Sequence, residues 1–144
     1  MAKHCDVISP MIYPSHFFGM DGYKAPGDAP EHFIGVSMDR FEKVTAGSGV
    51  VIRPWLQAFH WRTKTYSPEY ILKQVSTAKA HYGDGFLFWN AANDYSKPFA
   101  AMPTMMANPK TYLYTPPTAV AQNTAATAGP EKTAPAQAAT HSRP

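Results

Sequence analysis

Three stretches concentrate the apolar side chains of the chain, and polar or Gly/Pro-rich segments separate them. Residues 6–13, DVISPMIY, read as a short strand with Pro10 inside it. Because proline removes a ladder donor, Pro10 is expected at an edge, a bulge or a strand end. Residues 51–59, VIRPWLQAF, open on a β-branched run and then alternate. In an extended chain Arg53, Trp55 and Gln57 therefore share one face, and Ile52, Leu56 and the ring of Pro54 take the other. Residues 85–90, GFLFWN, are continuously apolar up to Asn90 and fit a strand buried on both faces.

Helical periodicity fills the gaps. A first helix is expected to start near Asp28, whose carboxylate would cap it while Glu31 reaches back. Phe33, Ile34, Phe41 and Val44 give it an apolar face, and Gly35 weakens it. The second helix carries every local signal: Ser67 as cap, Pro68 at the first position, Glu69 in the first turn, Lys79 and His81 in the last, Gly83 just beyond. Ile71, Leu72, Val75, Ala78 and Tyr82 fall on one face. Two long loops, residues 14–30 and HWRTKTYS at 60–67, follow the first and second strands. Loops of that length in a compact domain commonly carry function. Strand, loop and helix in this order predict a parallel α/β layer with right-handed crossovers. Ligand groups in such a layer gather at the carboxyl ends of the strands, where Tyr13, Ser15, His16, Gln57, His60, Trp89 and Asn90 lie. Beyond residue 115 the Pro/Ala/Thr-rich sequence has little to bury and is expected to be disordered.

Composition narrows the partners. A net charge of +3 over 144 residues, with the basic residues scattered, lacks the footprint of a nucleic-acid binder. Cys5 is the single cysteine, so neither an internal disulfide nor a thiolate metal cluster is available within one chain. The six histidines show no metal-ligand spacing, and no metal or other cofactor is expected. No secretory h-region opens the chain and no run approaches the roughly 20 apolar residues of a membrane span. The compartment is left open: cytoplasm, or an address on sequence outside this chain.

ISPMIYPSHF at 8–17, VIRPWLQAF at 51–59 and FLFWNAANDY at 86–95 together resemble the closing strands of a family of glycoside-hydrolase-like domains first catalogued as a domain of unknown function. The likeness covers residues 3 to 103. It implies an α/β fold: the C-terminal fragment, about three βα units, of a (β/α)8 TIM-like barrel, which needs about 250 residues in full. On that basis residues 1–103 form the partial barrel and residues 104–144 a disordered tail. The resemblance also implies a poly- or oligosaccharide ligand, with the catalytic carboxylates on upstream strands and the fragment inactive alone.

The residues can be weighed beside that implication. Glycoside hydrolysis needs two carboxylates flanking the scissile bond. Most acids here have a plainer role in helix starts, helix bodies or turns, leaving Asp21 and Asp94 on loops at the ligand end as catalytic candidates. Tyr13, His16, Arg53, Trp55, Gln57, Trp89 and Asn90 are the candidate substrate-binding set. The two indoles would offer flat faces to sugar C–H surfaces, and Arg53, Gln57 and Asn90 would bond hydroxyls. Two alternatives stand: a non-catalytic carbohydrate-binding remnant, and a structural segment whose aromatics are core. Ser15 lacks a GxSxG elbow and is not expected to be a nucleophile. Open sheet edges predict self-association.

Overall fold

The computed structural model describes residues 4–114. Prolines set its strand architecture. Pro10 divides the first strand into β1 (Val7–Ile8) and β2 (Met11–Ile12), and Pro54 divides the second into β3 (Val51–Ile52) and β4 (Trp55–Gln57). Neither proline can donate to a ladder, yet the register is the same on both sides of them: Val7 opposes Val51, and Ile12 opposes Leu56. The third strand, β5 (Leu87–Trp89), pairs parallel with β4, which gives the order β2-β4-β5 with β1-β3 continuing the first two strands.

The helices are α1 (Pro30–Thr45), α2 (Pro68–Ala80), α3 (Ser96–Ala107) and α4 (Pro109–Tyr112). The result is mixed α/β with parallel strands. Ile12, Ile52 and Leu56 from the sheet meet Ile34 and Met38 of α1, Ile71, Val75 and Ala78 of α2, and Ala101 and Met105 of α3 in one core. Among the described residues no helix covers the opposite face of the sheet. There Met11 is 73% and Trp89 48% exposed. A strand buried on both faces was the expectation for residues 85–90; Leu87 and Phe88 are instead half-buried, because β5 is an edge strand of a layer packed on one side only.

Helix α2 follows its sequence signals. The Ser67 hydroxyl accepts from the Tyr70 amide at 3.2 Å, Pro68 opens the helix, and the Gly83 amide returns to the Ala78 carbonyl at 2.8 Å. Tyr82, expected on the apolar face, lies past the helix end at φ +67° and is exposed.

Helix α1 departs from expectation at both ends. It starts at Pro30 with no side-chain cap, since Asp28 is committed to a distant loop: its Oδ1 accepts from the amides of Lys64 at 2.7 Å and Thr65 at 3.0 Å and from the Thr65 hydroxyl at 3.0 Å. Glu31 pairs with Lys73 of α2 at 3.0 Å rather than reaching back. Val44 is 75% exposed on the last turn, whose inward side is taken by the buried Thr45. Gly35 has a packing reason: a Cβ there would come within 3.2 Å of the His81 ring.

Residue 103, expected to end the folded part, lies inside α3, and α4 follows it, so residues 104–107 and 109–112 are helical. Tyr112 and Leu113 pack against the core. The tail expected from residue 115 lies outside the described residues. Among the described residues no helix is long and apolar enough to cross a membrane.

Candidate functional site

The loops after β2 and β4 fold onto each other over the strand ends, and one buried amide holds them there. Gln57 accepts the Ser15 amide on Oε1 at 3.1 Å, and its Nε2 donates to the Phe59 carbonyl at 3.0 Å and the Thr63 hydroxyl at 3.1 Å. Its own backbone is bonded at both groups by the Gln74 side chain of α2, at 3.0 and 2.8 Å. A carboxamide so fully engaged has no donor left for a ligand.

Asn90 is similarly occupied. Its Nδ2 donates to the carbonyls of Ala58 and Asp94, and its Oδ1 accepts the Ala92 amide at 2.7 Å. Arg53 sits toward the other end of the second strand, where its Nε donates to the Asp84 carbonyl at 3.1 Å. Ile52 bridges Gly83 whereas Trp55 pairs with Leu87, so the third strand bulges by one residue between these points. Gly85, at φ +91°, lies in that bulge with no Cβ to collide with the Arg53 guanidinium. The expected set Arg53, Trp55, Gln57 therefore does not converge on one hollow. Trp55 and Trp89 meet edge-on at 6.4 Å on the bare sheet face.

The strand ends do gather a second aromatic group. His16 lies 5.4 Å from the buried Tyr13 ring, 5.8 Å from Phe59 and 5.0 Å from Trp61. Phe18 is 6.0 Å from Trp61, and the Arg62 guanidinium lies 4.4 Å above Phe18 and 4.7 Å above Trp61. Trp61 is 42% and Phe18 59% exposed. Beside this cluster the two loops enclose an open cavity of about 540 Å³, lined by Phe17, Phe18, Lys24, Asp28, Arg62 and Lys64 among others. Gly27 makes the loop contact possible, since a Cβ there would fall 2.2 Å from the Arg62 carbonyl oxygen.

The acids at this end are all held. Burial raises the Asp28 carboxyl, but the hydrogen bonds from Thr65 and Lys64 outweigh it and keep the group below its ordinary value. The backbone and hydroxyl of Ser96 hold the Asp94 carboxyl low as well, at the start of α3. Asp21, in a left-handed conformation at φ +54°, is paired with His32 at 2.8 Å. Burial and then the Asp94 charge push Tyr66 up to about 12, which removes it as a base near neutrality. Asp28 is the one carboxylate lining the cavity. The loops thus offer recognition surface, without a facing acid pair there. Among the described residues no group of three His, Cys, Asp or Glu side chains is placed to hold a metal.

Sequence reading named Tyr13 and His16 but passed over Phe18, Trp61 and Arg62. The density of aromatic and charged residues in HWRTKTYS was the available signal, although loops lack the periodicity that would tell which side chains converge.

The described residues form a parallel α/β layer with aromatic and cationic side chains on the loops beyond its strand ends. Residues 1–95 match the family described as "Putative glycosyl hydrolase domain", and the chain belongs to that family. Neither a curated protein nor a solved structure matches it.

Proposed function

We propose that this domain binds poly- or oligosaccharide beyond the ends of β2 and β4, on the surface of Trp61, Phe18 and His16 and in the cavity beside them, and that it does not cleave glycosides by itself. Family membership favours a carbohydrate as the ligand. The observation that carries the site is the exposed aromatic cluster at the strand ends, since exposed indole and phenyl faces pack against sugar C–H surfaces. Binding without turnover is favoured by the state of the acids: Asp28 and Asp94 are bonded to loop and helix-start amides, and Asp21 to His32.

The same proposal makes the three-strand layer the C-terminal part of a (β/α)8 barrel. Its support is the sequential parallel order and the sheet face without helices, which in a barrel would be the packed interior. In isolation that face is expected to associate with a second copy. Trp55, Gln57, Trp89, Asn90 and Arg53 then serve the frame rather than the ligand.

The test is a glycan panel assayed twice, for hydrolysis of aryl glycosides and polysaccharides and for binding. Binding that Trp61→Ala abolishes, without turnover, is the expected result. Turnover by the isolated chain would overturn the non-catalytic part. No binding to any glycan by a folded chain would leave the aromatics as packing alone.

A further inference from the structure

The cleft carries an excess of positive charge. Lys24, Arg62 and Lys64 line the cavity against the single carboxylate of Asp28, and Asp28 already receives two amides and a hydroxyl on one oxygen. None of the three cations is in an ion pair among the described residues; the ion pairs there are His32–Asp21, Lys73–Glu31 and His81–Asp39. Arg62 is held instead by the ring faces of Phe18 and Trp61, which fix the guanidinium while leaving its N–H donors unspent. At the floor, Ser15 is only 3% exposed, lines the cavity, and its hydroxyl has no hydrogen-bond partner. A buried hydroxyl without a partner is costly, and a ligand oxygen would satisfy it once the Ser15 side chain turns toward the cavity.

We infer that the cleft recognises an acidic saccharide: Lys24, Arg62 and Lys64 meet a carboxylate borne on the sugar, the Ser15 hydroxyl bonds an oxygen of the same unit, and Phe17 and Phe18 face its C–H surface. Arginine suits this role because its fork matches a carboxylate in two parallel bonds. A nucleic acid fits less well, since the chain has a net charge of only +3 and no basic stripe to follow a phosphate backbone. The inference rests on the carbohydrate reading above and adds the substrate class.

Matched probes separate the two. The full chain is titrated calorimetrically with a panel of oligouronides and with their carboxyl-reduced forms, in which a neutral hydroxymethyl group replaces each carboxylate. Inorganic phosphate and a single-stranded oligonucleotide complete the set. The oligouronide is expected to bind at least about tenfold more tightly than its reduced form, an advantage that added salt diminishes. Arg62→Gln, Lys24→Gln and Lys64→Gln are each expected to weaken the uronide by about tenfold and to leave the reduced form unchanged. Lys43→Gln, on the last turn of α1, should change neither, and thermal melts confirm that each variant is folded. Equal binding of both forms would overturn the acidic assignment and keep the carbohydrate reading. Failure of every glycan would overturn both. Phosphate or the oligonucleotide binding as tightly as the uronide would overturn the sugar as ligand.

Discussion

The two faces of the sheet are made from alternate residues of the same strands and could hardly differ more. Ile12 and Leu56 are sealed under α1, α2 and α3, while Met11, one residue from Ile12 along β2, is 73% exposed. On the covered face Ile12, Ile52 and Leu56 are packed against helices. The bare face keeps Met11, Trp55, Leu87 and Trp89 together without one. A parallel layer with one uncovered apolar face is unusual, because crossover helices normally cover both sides or a barrel closes over one. The contrast places the layer's stability in one face, and the proposal above makes the other the face through which copies associate.

The comparison breaks most visibly under core truncation. Leu56→Ala is expected to cost about 3 kcal/mol and Met11→Ala less than about 0.5 kcal/mol, measured by denaturant unfolding. Equal losses would mean that both faces are buried in solution. Next in size is Gln74→Met, which keeps the side-chain volume and removes both side-chain hydrogen bonds to the Gln57 backbone; about 2 kcal/mol should be lost.

The two glutamines also show where sequence reading stops. Ser67, Pro68 and Glu69 speak for α2 because capping is decided within one turn. Gln57 and Gln74 find each other across strand and helix, and no local pattern marks either as buried. Asp28 carried the right residues for a capping box, yet the tertiary donors at Lys64 and Thr65 won its carboxylate. Alternation correctly set Trp55 opposite Leu56, but the carry-over to Arg53 crossed Pro54 into a region where a bulge changes the neighbouring strand. The aromatic and cationic lining of the cleft comes from two loops whose approach depends on Gly27, a long-range fit that composition does not announce.

Smaller effects sharpen the picture. Asp28→Asn should cost at most about 1 kcal/mol, since the carboxylate is only partly shielded from solvent. Its folded pKa lies below the unfolded one, so its contribution is present above the unfolded carboxylate pKa and is lost as pH falls through the folded value. Acid unfolding curves below about pH 4 should therefore flatten in Asp28→Asn relative to the parent. Trp89→Ser should leave the unfolding midpoint almost unmoved and reduce concentration-dependent association in sedimentation runs, because Trp89 lies 48% exposed on the face without helices.

The claim on which the account turns is that Trp61 touches a glycan. The direct measurement is fluorescence of a chain carrying Trp55→Phe and Trp89→Phe, in which Trp61 is the sole indole, during titration with oligosaccharides. A saturable change in its emission is predicted. Emission unchanged by every saccharide, from a chain whose melt shows it folded, would contradict the account.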